Sequence, residues 1–166
     1  MTLSRGEPAT AVDIDIVREL IGRNPQGDFT VVVRDDSGRP VVLRNAPILH
    51  DGTPMPTLFW LVGKVEVAEV GRLESTGAID EVEALVGVDT IDEIHRSYER
   101  ERLADMPASH VGPSPSGGVG GTRRGVKCLH AHLAHWLAGG DDAVGEWTAQ
   151  KLSERGARIA TRVGAP

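Results

Sequence analysis

Residues 125–137, GVKCLHAHLAHWL, carry the chain's single cysteine and three of its six histidines on one helix-length segment, directly after a glycine-rich basic stretch. At about 100° per residue, Cys128, His132 and His135 fall on one side of such a helix, while Val126, Leu129, His130, Leu133, Trp136 and Leu137 fall on another. One helix therefore presents two chemically different faces. The apolar face needs a core to pack on, and the Cys/His face offers metal ligands, a nucleophile with a base, or the polar wall of a cleft.

Length and charge narrow the setting. A chain of 166 residues suits a single domain with its own core and is short for two. One cysteine excludes an internal disulfide, so the expected home is the cytoplasm. With 18 Lys+Arg against 24 Asp+Glu, a net charge of −6, the molecule as a whole disfavours nucleic acid and anionic membrane, and any anion site has to be local. No run approaches the roughly 18 apolar residues of a membrane span, and the opening MTLSRGEPATAVDID lacks the apolar stretch of a secretory signal. Partners are therefore expected to be a small anionic ligand or another protein, and the sequence sets no oligomeric state.

Local patterns predict an α+β fold: a small, mainly antiparallel sheet of about three strands packed with four to six helices. Thr10 with Asp13 forms a capping box for a helix over 11–21 that Gly22 stops, with Val12, Ile16, Val17, Leu20 and Ile21 as its buried face. Residues 29–34 and 41–44 are β-rich runs joined by DDSGRP, a hairpin with half-exposed strands turning at 36–38. After the rigid connection HDGTPMPT, the apolar run 58–62 reads as the central strand. Helices are predicted over 65–74 and 79–86, with a third starting at Thr90, which Glu93 completes as a cap. That third helix aligns Ile91, Ile94, His95, Tyr98 and Arg102 in one stripe. Residues 107–122 form a Pro/Ser/Gly loop of a length that goes with mobility or function. A last helix over 143–154 turns Val144, Trp147 and Leu152 inward, and 156–166 read as a frayed tail.

The stretches DGTPMPTLFWL, HRSY and GGTRRGVKCLHAHLAH, in this order and spacing, resemble the uncharacterised bacterial family called domain of unknown function 501 over roughly residues 17–145. The matching positions are Asp51, Gly52, Thr53, Pro54, Pro56, Thr57, Leu58, His95, Tyr98, Arg102, Lys127, Cys128, Leu129, His130 and His135. The resemblance brings no activity with it. It implies a genomic setting beside a septum-formation protein and an exopolyphosphatase, which points toward cell division or phosphate metabolism. It also implies that relatives carry a Cys-x-Cys pair and a further cysteine where this chain has Asp35, Ser37 and Gly63. Those thiolates, joined to the Cys-x-His of the helix, would make a zinc site in the relatives. Here three are replaced, so no metal is expected. A rebuilt site would draw on Asp35 and His50, and a metal held by the helix itself would use Cys128, His132 and His135.

Four chemistries remain open. The stretch GGVGGTRRGVK suits an anion, because glycines let backbone N–H groups approach and Arg123, Arg124 and Lys127 supply charge, though its spacing is not that of a P-loop. His95, Tyr98 and Arg102 offer an acid or base, a hydroxyl donor and an anion clamp, or else a polar stripe closing the core edge. Cys128, close to Lys127, Arg123 and Arg124, suits a nucleophile with His135, His95 or Tyr98 assisting, without a known cysteine-hydrolase signature around it. His130, in the apolar stripe, reads as a core histidine or a ligand-binding one. The leading expectation is one polar Cys/His/Arg cleft, bordered by His95, Tyr98, Arg102, Cys128 and His135, that binds a phosphate-like anion or a protein partner in a regulatory role. A metal-assisted or thiol-dependent hydrolase and a structural protein linked to cell division are the alternatives.

Overall fold

A computed structural model of the chain describes residues 3–166. Four antiparallel strands lie in chain order: β1 (Glu7–Pro8), β2 (Phe29–Arg34), β3 (Pro40–Asn45) and β4 (Phe59–Leu61). Six helices accompany them: α1 (Ala11–Ile21), α2 (Lys64–Glu74), α3 (Ala78–Val86), α4 (Val88–Leu103), α5 (Leu129–Leu137) and α6 (Ala143–Glu154). The fold is α+β, with the two-residue β1 added to the three strands expected from sequence. None of these helices is long and apolar enough to cross a membrane.

Two capping signals act as their chemistry dictates. Thr10 Oγ1 accepts the Asp13 N–H at 3.1 Å and Asp13 returns a bond to the Thr10 N–H at 2.9 Å, so α1 starts on a closed capping box. In the hairpin turn, the Asp35 carboxylate accepts the N–H groups of Ser37 and Arg39, both at 2.9 Å. Elsewhere the expectations need correction. Val12 is 66% exposed, because the buried face of α1 is Val17 with Asp13, whose carboxylate holds Arg34 of β2 at 2.7 Å. Helix α4 starts at Val88, not at a Thr90 cap, since Gly87 at φ +84° ends α3 and opens α4 with no linker between them.

Strand β3 is buried along its whole length, not half exposed, because both of its faces are covered. Leu43 meets Val17 of α1 in a small core with Val31 and Val62, while Val42 belongs to the main core under the helices. An irregularity between Val31 and Val33 sends these two β2 residues into different cores, as a bulge does. The apolar run 58–62 is also not the central strand: β4 is the last in the order and is apolar because α5 packs over it. Leu129, Leu133 and Leu137 of α5 are fully buried, and each such side chain contributes about 1.5–3 kcal/mol. Residues 156–166 hold no regular element but lie against the body. The Val163 N–H donates to Leu137 O at 2.8 Å, and the Ala160 N–H to the buried Glu66 at 2.8 Å.

Candidate functional site

The stripe on α4 forms as its spacing predicts, and all five of its residues are buried. Its polar members meet backbone. Tyr98 accepts the Phe59 N–H at 3.0 Å, and burial pushes its phenol up to about 12. Arg102, with no exposed side-chain surface, donates to Pro56 O at 2.9 Å, Gly117 O at 2.8 Å and Pro115 O at 3.3 Å. It is a clamp that fastens the second half of the 107–122 loop to the sheet connection, and its fork is turned to carbonyls. His95 accepts the Val119 N–H at Nδ1, 3.0 Å, and its Nε2 lies 2.8 Å from Gly125 O. One ring nitrogen must accept and the other donate, which defines a neutral tautomer. Burial lowers its pKa in the same sense.

Helix α5 delivers a second group. His132 and His135 both turn Nδ1 to the carboxylate of Asp142 at 2.9 Å, and that carboxylate also accepts the Gly145 N–H at 2.9 Å as the N-cap of α6. All three side chains are buried. Burial alone would raise the Asp142 carboxyl, but the charge and hydrogen bonds of His132 and His135 outweigh it and hold it well below the carboxylate range. His135 stacks on Phe59 and sits edge-on to Tyr98, with ring centres 5.1 Å apart in the second pair, while the His132 ring lies 5.8 Å from His95. His95, Tyr98, His132 and His135 thus meet in the core, and among the described residues the buried His132 Nε2 has no hydrogen-bond partner. The expected single cleft resolves into this buried cluster, the Arg102 clamp and two further groups.

Cys128 does not join the buried histidines. Residues 125–127 are not helical: Gly125 has φ +61°, and the Val126 N–H is held by Glu83 at 2.6 Å. Cys128 is therefore the extended N-cap of α5, and it leaves the face shared by His132 and His135. It meets Glu74 and His130 instead, with one donor atom of each residue within 4.8 Å of the others. Glu74 Oε1 accepts the Leu129 N–H at 2.7 Å and lies 3.2 Å from His130 Nδ1, while His130 Nε2 lies 3.1 Å from Val67 O. His130 is half-buried at the surface, not in the core stripe. Its pKa is raised, first by the neighbouring Cys128 thiol and then by Glu74.

The positions that would hold the relatives' other cysteines lie elsewhere. Asp35 and Gly63 line a hollow with Glu66 at the start of α2, whereas Glu74 is its last residue. At 1.5 Å per residue, eleven residues of helix separate the two places by about 16 Å. A Cβ on Gly63 would collide with Glu66 Oε2. His50, the other expected substitute ligand, is exposed and paired with Asp28 at 3.0 Å.

The last group borders open space. A hollow of about 420 Å³ lies between α4 and the loop, lined by Asp92, His95, Arg96, Glu99, Gly117, Gly118, Arg123 and Arg124. Arg96 pairs with Glu93, but among the described residues Arg123 and Arg124 enter no ion pair. Among the described residues, Asp92 Oδ1 is buried without a hydrogen-bond partner. Lys127 is not in the lining; its ammonium reaches Gly120 O at 3.3 Å. A larger hollow, about 480 Å³, lies beside Arg44 and Arg5, whose charges are already met by Asp105 and Glu101.

Of the expected site residues, the structure brings His95 to the hollow with Arg123 and Arg124, gathers His132 and His135 with Tyr98, and joins Cys128 to His130. Glu74, Asp92, Arg96 and Asp142 went unnoticed in the sequence. Asp142 alone had a local signal, an aspartate directly before a helix. No curated protein and no solved structure matches this chain. The family model described as "Protein of unknown function (DUF501)" matches residues 31–150, well over half of the chain, and the chain belongs to that family.

Proposed function

We propose that the protein binds a small phosphorylated molecule in the hollow between α4 and residues 117–124. The observation that carries this reading is the pair Arg123 and Arg124, two cations without ion-pair partners among the described residues, on the wall of a hollow of about 420 Å³ in a molecule of net charge −6. Guanidinium forks suit the oxygens of a phosphate, and two neighbouring arginines give an anion local partners in a molecule whose global charge repels it. Gly117 and Gly118 keep the opposite wall low: a Cβ on Gly118 would collide with His95. Asp92 lines the same hollow, and its carboxylate adds a second requirement, a donor. The ligand class that answers both is a phosphomonoester bearing a hydroxyl or ammonium group.

Thermal melting in inorganic phosphate and in phosphoethanolamine tests this. At 100 times Kd a ligand adds about 2.7 kcal/mol, and at about 2–4 °C per kcal/mol for this size the melting temperature should rise by roughly 5–11 °C. The rise should fade in high salt. Phosphoethanolamine should act at lower concentration than phosphate in the parent and lose that advantage in Asp92→Asn. Arg123→Ala with Arg124→Ala should remove both responses. A double variant that responds like the parent, or a parent that responds to neither compound, sinks the reading.

A further inference from the structure

We infer that Glu74, Cys128 and His130 form a binding site for a divalent transition-metal ion of the zinc type, with a fourth coordination position open to solvent. The site is separate from the arginine-lined hollow and does not depend on how that hollow is read.

The hydrogen bonds of His130 leave one of its ring nitrogens facing a carboxylate. Its Nε2 faces the Val67 carbonyl, which can only accept, so that nitrogen carries the hydrogen. In the neutral ring Nδ1 is then a bare lone pair. It points at Glu74 Oε1, 3.2 Å away, which is also an acceptor. Two acceptors at this distance need a cation between or beside them. A proton on Nδ1 satisfies the pair in the free protein, and a metal ion would displace it.

The surroundings match what metal ligation requires. A ligating histidine commonly donates its other N–H to a backbone carbonyl, which fixes the ring, and Val67 O does this here. The carboxylate is oriented by the Leu129 N–H at 2.7 Å. Bonds of about 2.0–2.2 Å to nitrogen and oxygen place two such ligands about 3.3 Å apart in a tetrahedron, close to the 3.2 Å between Nδ1 and Oε1. Thiolate, carboxylate and neutral imidazole together carry two negative charges, balancing a divalent ion. A set of one sulfur, one nitrogen and one oxygen selects zinc over calcium or magnesium. All three residues are partly exposed, which leaves the fourth position to water, and the site closes no core. Metal is therefore not needed for folding.

Titration of the whole, untagged chain with Co²⁺ tests the site. One ion per chain should bind with the intense visible bands of tetrahedral cobalt and a thiolate-to-metal charge-transfer band in the near ultraviolet, releasing protons as it does so. Zn²⁺ should displace it. Cys128→Ser should remove the thiolate band, and Cys128→Ser, His130→Gln and Glu74→Gln should each weaken binding by more than the 10–100-fold that outer-shell partners cost. The exposed His50→Gln and His110→Gln should bind as the parent does. The parent should keep its urea midpoint in chelator. No binding at micromolar cobalt, binding without the thiolate band, or parent-like affinity in Cys128→Ser overturns the proposal.

Discussion

Replacing Asp142 tests whether the buried histidines are held by one carboxylate. In Asp142→Ala, α6 loses the cap on its Gly145 N–H, worth about 1 kcal/mol. His132 and His135 lose the acceptor for Nδ1, and with both residues buried each unpaired ring nitrogen costs about 1–3 kcal/mol. The sum is about 3–7 kcal/mol, against a whole stability of about 5–15 kcal/mol for a typical domain. At about 3 °C per kcal/mol the melting temperature should fall by roughly 10–20 °C. Asp142→Asn separates shape from charge. Its amide oxygen can still cap α6 and serve one histidine, but its NH₂ faces the other Nδ1–H, so the loss should be smaller and confined to about one unpaired group. Urea unfolding followed by tryptophan fluorescence and by circular dichroism reads both variants. A loss below about 1 kcal/mol for Asp142→Ala would mean that the carboxylate acts as a helix cap alone, and the reasoning about the histidine pair would be wrong.

Arg102→Met should keep most of the buried volume while freeing the carbonyls of Pro56, Pro115 and Gly117. Amide exchange across residues 113–122 should speed up by at least tenfold while the sheet stays protected, and an unchanged loop would show that Arg102 is not its clamp. Stability should fall in two steps on acidification. His95 has a lowered pKa, chiefly through burial, so its contribution is whole above the ordinary histidine value of about 6.5 and is lost as pH falls below it. Asp13, lowered first by its hydrogen bond with Arg34, and Asp142 contribute fully above the ordinary aspartate value of about 3.9 and lose that contribution as pH falls through their folded-state values. Urea midpoints from pH 8 to 3 should trace both steps, and a flat profile would contradict them.

What the sequence revealed and what it hid divide along the distance between partners. The capping box at Thr10, the Asp35 turn and the α4 stripe are local, since every residue that decides them lies within a turn or two of its partner. The position of Arg123 and Arg124 near a glycine-lined hollow was legible for the same reason. Cys128 misled because helical periodicity was extended through it, whereas glycine geometry at 125 and the Glu83 bond to Val126 delay the helix until Leu129. Glu74, 55 positions from the N–H it accepts, looked like any acidic residue on an exposed helix. His130 faces it only because α2 packs beside α5. The polarity of β3 was also hidden, as burial on both faces is a property of what covers a strand, not of its own alternation.

The ends of the sheet set how the molecule can associate. Its first strand is two residues long and ends in Pro8, which has no N–H to offer, next to the charged Glu7. At the far side the Phe59 N–H is already occupied by the Tyr98 hydroxyl from α4, and α5 lies over the strand. A neighbouring chain that approaches edge-on therefore finds a proline on one side and a sealed donor on the other. Strand addition and edge-to-edge aggregation are disfavoured at both margins, so recognition of another macromolecule falls to side chains on the helical surfaces and loops.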